Sequence, residues 1–531
     1  MKSKQSIGLK AAAAVVTATG ILVMAGAAQA VALNPDGLGQ VLIYPYYTVR
    51  ANADGNAYDS LLTVINAKNV GKAVRVRFRE GKAGKTVLDF NLYLSPKDVW
   101  TAAITQTPDS TGAMIRTWDT SCTNPSIPAD GATFWSYLFS GANADGEDAT
   151  VDRTKEGYVE MIEMAEIAAG SPTERAIAHA VGGIWKPRDC SAIQEHGSSY
   201  TNTQPPFAGD LRTPAGGLFG NMTLINVNTA RAVGYDAVAL SGFYKGGDAW
   251  GHFGGARVLD TLWFPFGREN PNLSMAFPAT SMVFDDGVGI VESAWTGSDW
   301  VHEAGGIAPH RSVFEPGLDA VSSVLMRSSI INEFNNNEVY VGATDWVITV
   351  PTKNLYFDRG DNGRGDNSLK PRRLFQREFR KGGAVDDVER AIIYDREERG
   401  MDLDCQWDGL PPANCDQRPH FPWTVNALQF RNSNSMDRAV FHSVNRLVMP
   451  LPYSEGWAQI DIGRGVAHPA STYGDHTLTA DTPSGRKFTG LPVVGFAATL
   501  YNNAGVDGGS LGRVWASYVG TVPHRYERKI E

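Results

Sequence analysis

Alternation of apolar and polar side chains is the dominant pattern along this chain. In residues 73–78, Val74, Val76 and Phe78 alternate with Arg75 and Arg77. That is the period-two signature of a strand with one buried and one wet face. Residues 86–94 repeat it, with Leu88, Phe90 and Leu92 against Val87, Asp89 and Asn91. Residues 60–66 form a third such run, joined to the strand at 73–78 by the turn Lys68-Asn69-Val70-Gly71. Residues 40–49 are rich in β-branched and aromatic side chains, and Pro45 within them predicts an edge strand or a bent one.

Short alternating strands with small turns predict a mainly β protein with two or more β-sandwich (Ig-like) regions and long irregular insertions. The first such region is expected over 31–105. Residues 106–215, where Pro, Asp, Asn, Gly and Ser cluster, read as an irregular, disulfide-pinned insertion. Within it, 173–181 reads as a short helix with Ser171 as N-cap and Gly182 as its stop. Residues 158–167 fit either a helix, because Glu160, Glu163 and Glu166 recur every third position, or a strand.

A second β-rich region is expected over 216–352. Met222-Thr223-Leu224-Ile225-Asn226 echoes Leu62-Thr63-Val64-Ile65-Asn66, as a duplicated sandwich domain would, although strands share a small vocabulary. Residues 353–438 hold dense charge of both signs and read as solvated loops. A C-terminal β-rich region over 439–531 includes alternation at 457–462 and an apolar strand at 491–501.

The first 30 residues have a different character. Lys2, Lys4 and Lys10 precede an apolar stretch at 11–25, and Ala28-Gln29-Ala30 offers the small residues that signal peptidase accepts. The stretch falls short of the roughly 20 residues that span a bilayer. A Sec-exported bacterial protein is therefore expected, at the cell surface, in the medium or in the periplasm, with no membrane-spanning segment after cleavage. Removing residues 1–30 takes the formal charge from -9 to −12 and the length from 531 to 501. This acidic balance offers no basic field for nucleic acid.

The four cysteines fit an oxidising compartment. Three connectivities are possible. The preferred one joins Cys405 to Cys415 around the turn Gly409-Leu410-Pro411-Pro412 and leaves Cys122 with Cys190.

Catalytic motifs fail on their context. Gly508-Gly509-Ser510-Leu511-Gly512 matches a nucleophile elbow, but too little chain follows it to supply the helix and the acid. Gly84-Lys85-Thr86 lacks the glycine five positions earlier that a phosphate loop requires, since Arg79 stands there. His302-Glu303 lacks the second zinc histidine, since Gly306 stands in its place. Asp285 and Asp286, near Trp295 and Trp300, could serve a sugar cleft only if their carboxylates faced each other across it. Asp358, Asp361 and Asp366 share a glycine-rich loop and form a candidate calcium site, with a second acidic cluster at Asn143, Asp145, Glu147, Asp148 and Asp152. No other cofactor is expected.

Asn34-Pro35-Asp36-Gly37-Leu38-Gly39-Gln40, leading into Leu42-Ile43-Tyr44-Pro45-Tyr46-Tyr47-Thr48, resembles the mature start of a family of secreted and cell-surface proteobacterial proteins. Asp89-Phe90-Asn91-Leu92-Tyr93-Leu94-Ser95-Pro96, Asp98-Val99-Trp100, Thr344-Asp345-Trp346-Val347 and Leu491-Pro492-Val493-Val494-Gly495-Phe496 are similar to its later blocks. The resemblance implies an exported or surface location and brings no catalytic residue with it. The expected function is a non-catalytic structural or binding role in the cell envelope. Self-association or contact with other envelope components would run through edge strands such as 41–49. The alternative is a secreted carbohydrate-binding protein or hydrolase with aromatics stacked on sugar rings.

Overall fold

The computed structural model describes residues 30–179, 185–194, 207–244, 271–285, 287–296, 315–338, 341–357, 374–375, 388, 390–404, 421–432, 438–463, 476–507, 509–511 and 513–531. Residues 1–29, Cys405, Cys415, Trp300 and the candidate calcium ligands Asp358, Asp361 and Asp366 lie outside the described residues. The chain is mainly β, in several separate sheets, none of them closed into a barrel. No helix among the described residues is long and apolar enough to cross a membrane.

The first sandwich uses fourteen strands. They are β1 (Ala32–Leu33), β2 (Val41–Thr48), β3 (Asp59–Asn66), β4 (Gly71–Glu80), β5 (Thr86–Leu94), β6 (Val99–Gln106) and β7 (Ala113–Arg116). β8 (Cys122–Asn124), β9 (Ala132–Thr133), β10 (Glu156–Ile167), β11 (Leu211–Arg212), β12 (Leu218–Asn226), β13 (Arg231–Asp236) and β14 (Val238–Ser241) complete it. One sheet runs β1-β14-β2-β10-β4-β5-β8, with β11 on the end of β10. The other runs β13-β12-β3-β6-β7-β9. Phe90 from one sheet meets Trp100 from the other at 5.8 Å between ring centroids, and the Tyr44 hydroxyl donates to the Thr63 carbonyl at 2.8 Å.

Residues 158–167 thus belong to a strand, β10, which pairs with both β2 and β4 in the middle of its sheet. Within the segment read as an insertion, α1 (Pro172–Ile177) starts where expected, with Ser171 Oγ accepting from the Glu174 amide at 3.1 Å. It stops sooner than predicted, because Ala178 is already extended.

The sequence echo between 62–66 and 222–226 has a simple structural meaning. β3 and β12 are antiparallel neighbours in one sheet, with Leu62 opposite Met222. Two strands that share a face of the same core share its alternation, so the echo does not mark a second domain.

The strand expected to offer an open edge does not. β2 is buried along its length and lies between β14 and β10. Pro45 stands just past the last residue that β14 pairs, and its carbonyl accepts from Thr349 Oγ1 at 2.6 Å.

The later strands are β15 (Thr280–Asp285), β16 (Gly289–Ala294), β17 (Met326–Arg327), β18 (Ser329–Asn335), β19 (Ala343–Thr349), β20 (Arg390–Asp395), β21 (Gly400–Asp404) and β22 (Val425–Asn432). They continue as β23 (Arg446–Leu451), β24 (Glu455–Asp461), β25 (Thr477–Thr479), β26 (Lys487–Thr489), β27 (Leu491–Pro492), β28 (Val494–Asp507), β29 (Arg513–Pro523), β30 (Arg525–Glu527) and β31 (Lys529–Ile530). The sheets β21-β20-β24-β18-β30 and β23-β22-β19-β28-β29 form the second sandwich. Its core stacks Phe334 on Phe430 at 5.1 Å, and Trp346 meets Phe430 at 4.7 Å. Gly509–Leu511 is a tight turn inside the β28–β29 hairpin, so Ser510 caps a hairpin and not a nucleophile elbow. Two further helices are α2 (Glu315–Leu325) and α3 (Lys353–Phe357). Pro316 stands in the first turn of α2, where its missing N–H costs nothing.

The two sandwiches are broadly packed together, and this corrects the reading of β4. Arg75, Arg77 and Arg79 alternate as predicted, yet they are buried. Residues from the second half of the chain cover them: Arg77 donates to the Pro271 carbonyl at 2.9 Å, and Asn354 Nδ2 reaches the Gly84 carbonyl at 3.1 Å. Buried guanidiniums require matched acids. β10 and β5 supply them: Arg79 Nε lies 2.9 Å from Glu160, and Arg75 is hydrogen-bonded to Asp89 and Asn91. Lys72 likewise meets Glu163 at 2.5 Å and Glu166 at 3.0 Å. The wet face of one sandwich is the inner wall of a two-sandwich body.

Candidate functional site

The corner beside the disulfide gathers the chemistry. Cys122 at the start of β8 is bonded to Cys190, with Cα atoms 5.3 Å apart. This fastens the segment around 185–194 to the sheet. The Asp189 amide also ties it to α1 by donating to Ala176 O at 3.0 Å, while Asp189 Oδ1 caps the segment's own turn at 190–192 through the Ser191 amide at 3.0 Å.

Asp98 lies at the base of the corner, on the turn from β5 to β6. Pro96 presets the first bend of that turn and Lys97 takes φ 60°, as a type II turn demands at its third residue. Asp98 Oδ2 accepts from the Ser95 amide at 2.9 Å and from Ser95 Oγ at 3.2 Å. Ser121 Oγ bridges the two carboxylates, 3.3 Å from Asp98 Oδ2 and 2.7 Å from Asp119 Oδ1. Burial raises the Asp98 carboxyl above its usual range, aided by the charge of Asp119 and opposed by the Ser95 amide and His179.

His179, which showed no ligand spacing in sequence, is placed above this pair. Its Nδ1 is 3.3 Å from Ser95 Oγ and 3.8 Å from Asp98 Oδ2, and its Nε2 is 3.5 Å from Thr120 Oγ1. A relay from hydroxyl to imidazole to carboxylate needs the hydroxyl and the carboxylate on opposite ring nitrogens. Ser95 Oγ and Asp98 both approach the same nitrogen, and Ser95 is tied directly to Asp98. The arrangement is a polar brace, not a nucleophile activated by a base.

Two tryptophans flank the brace. Trp118 is 88% exposed and Trp185 is 75% exposed. Thr120 Oγ1 donates to the Trp185 carbonyl at 3.3 Å, joining the two segments. Trp118 follows β7 alongside β6, where Thr117 Oγ1 donates to the Thr101 carbonyl at 2.6 Å and Asp119 Oδ2 accepts from the Thr101 amide at 3.3 Å. The same sheet continues the apolar surface, with Ile65 between Phe219 and Val99 in register and both of these exposed.

No family model, curated protein or solved structure matches the chain. What the corner can do is therefore read from its own geometry. Two exposed indoles and a rim of carboxylate, hydroxyl and imidazole groups suit a ligand with an apolar face and hydroxyl edges.

The other sequence candidates are placed elsewhere. Trp295 is buried, donates from Nε1 to Ser281 Oγ at 3.0 Å and packs on Phe488, so it faces no cleft. Asp285 Oδ1 closes a turn through the Gly287 and Val288 amides, both at 3.0 Å.

Three of the four acids in the second cluster are paired with cations, and Asp148 accepts from the Thr150 amide and hydroxyl. Asp145 meets Arg153 at 2.6 Å, Glu147 meets Lys82 at 3.1 Å, and Asp152 pairs with Arg50 and with Lys155 at 2.7 Å. Burial pushes the Asp145 and Asp152 carboxyls up, but their arginine partners outweigh it and hold both below the usual range.

Sequence reading singled out neither Trp118 nor Trp185. The available signal was their position four and five residues before Cys122 and Cys190.

Proposed function

We propose that this chain is an exported protein of the cell envelope or cell surface that acts by binding, without catalysis. Its binding surface is the tryptophan corner, and its ligand class is carbohydrate. The observation that carries this reading is the pair Trp118 and Trp185, both strongly exposed at a corner locked by the Cys122–Cys190 bond. Large aromatic surface left in water is normally buried or used. A pyranose ring offers an apolar C–H face to an indole and hydroxyls to a polar rim. Asp98, Asp119, Ser121 and His179 supply such a rim. Export is supported by the leader-like first 30 residues and by the disulfide, which persists in oxidising compartments.

The test is retention of the purified protein on insoluble polysaccharides: peptidoglycan sacculi, chitin, cellulose and cell-wall glycan. Wild-type protein is expected to be retained on at least one of them. Passage through all of them would remove the carbohydrate reading.

A structural role through self-association is the second reading, and one observation favours it. Among the described residues, β29 is an eleven-residue edge strand paired on one side by β28, and Tyr518 on it is 62% exposed. Such an edge can take another strand. Sedimentation analysis tests this: assembly should weaken when Tyr518→Lys places a charge on the edge, and a wild-type monomer at all concentrations would end the idea.

A further inference from the structure

A cavity of about 810 Å³ lies where the two sandwiches meet, far along the chain from the tryptophan corner. Leu33, Val238, Phe284, Val324 and Phe496 contribute apolar wall, and Arg528 and Tyr526 lie at its margin. The volume is that of a site for a small organic ligand.

The charge beside it is unusual. Arg327 and Arg528 both lie over the Tyr526 ring, at 3.7 Å and 5.3 Å from its centroid. Both donate to main-chain carbonyls at the end of α2, and Arg528 also bonds the Tyr526 side chain. Arg327 donates to Val324 O and Met326 O, and Arg528 to Ser323 O, Val324 O and Met326 O. A helix C-terminus supplies only about half a negative charge. Two guanidiniums therefore share that half charge and the charge of Asp285, which acts on Arg528. Arg528 Nε is buried and has no hydrogen-bond partner among the described residues. Burial, and for Arg327 the neighbouring Arg528, lowers both guanidinium pKa values, and for Arg528 Tyr526 and Asp285 oppose the fall.

We infer that this cavity binds a single-chain anionic amphiphile, its apolar body between the sandwiches and its carboxylate or phosphate-monoester head on Arg528. The apolar wall selects the chain, and the planar guanidinium selects an oxyanion head over a cationic one.

The experiment is calorimetric titration of the whole protein with dodecanoate, dodecyl phosphate and dodecyltrimethylammonium, each below its micelle concentration. One saturable site is expected, with one or both anions bound about tenfold or more tighter than the cation. The two anions tell a carboxylate head from a phosphate one. Arg528→Gln should bring that ratio close to one, and Arg528→Lys should retain a preference for the anion. Because Arg528 also caps α2, Arg528→Gln could unfold the protein. Val238→Trp, which fills the cavity, then serves as the second variant and should abolish uptake. Equal binding of cation and anions to wild-type protein, no saturable binding of any of them, or uptake unchanged in Val238→Trp would overturn the proposal.

Discussion

Ser443 Oγ donates a 2.6 Å hydrogen bond to Glu156 Oε2 across 287 residues of chain. The same carboxylate accepts from the Val444 amide at 3.0 Å and the Tyr46 hydroxyl at 3.0 Å, and Arg50 Nε lies 3.4 Å away. Glu156 is thus a buried junction at the foot of β10 that fastens the second sandwich to the first. Tyr46 on Phe441 and Tyr235 on Phe496, at 5.2 and 4.6 Å, complete the seam with aromatic contact.

Replacing Glu156 by alanine should therefore destabilise the whole body, not one sandwich. Removing one partner from a buried charge cluster costs about 3–5 kcal/mol. Denaturant unfolding should show a lower midpoint for both halves together. A loss under about 1 kcal/mol would mean that the junction is dispensable.

The disulfide predicts a separate effect. It closes a loop spanning 68 residues, and the chain-entropy estimate for a loop of that size is about 4 kcal/mol. Cys122→Ser with Cys190→Ser should lose stability of that order and weaken glycan retention, because Trp185 is then no longer held beside Thr120. Retention at full strength in the double serine variant would show that the corner does not depend on the bond.

Asp345 predicts a pH dependence of definite sign. Burial raises its carboxyl to about 6, although the Phe441 and Val440 amides oppose the rise by donating to it. The folded state therefore holds this proton more tightly than the unfolded chain does. The resulting stability is full below about pH 4 and is lost as pH rises through about 6. Glu163, raised to about 6 by burial against the pull of Lys72, acts in the same direction. His524 acts in the opposite one, since burial lowers it to about 4 and stability rises with pH from there to about 6.5. The readout is thus a difference between proteins. Wild type should lose stability relative to Asp345→Asn as pH is raised from 4 to 7 in thermal unfolding. A constant difference across that range would contradict the assignment.

Much of the fold was legible because alternation is set by burial on one face. β3, β4 and β5 lie where the period-two runs placed them or close by, and Ser171 caps its helix as read. What failed was the environment of the polar face. Arg75 and Arg77 look solvated in their own strand, and only the arrival of residues such as Pro271 and Asn354 buries them. The matching acids Asp89, Glu160 and Glu163 sit on strands far apart in sequence, so their pairing could not be seen before the register of β4 with β5 and β10 was known. Pro45 predicts an edge strand or a bent one, and it lies where the register of β2 with β10 shifts. It sits inside the sheet because β14 pairs only as far as Ile43 and leaves it no ladder bond to miss. The tryptophan corner was invisible for a similar reason: the segments that carry Trp118 and Trp185 are joined by a disulfide and a side-chain hydrogen bond, not by a motif.

The central claim is that Trp118 and Trp185 form the binding surface, and one measurement tests it most directly. Affinity for the retained polysaccharide should be measured for wild type, Trp118→Ala, Trp185→Ala and the double variant. Both side chains are exposed, so thermal stability should stay within about 0.5 kcal/mol of wild type. Each single variant should bind about tenfold more weakly, a loss of roughly 1.4 kcal/mol, and the double variant should not be retained. Full affinity in the double variant, with its fold intact, would contradict the account and move the search for the binding surface elsewhere on the molecule.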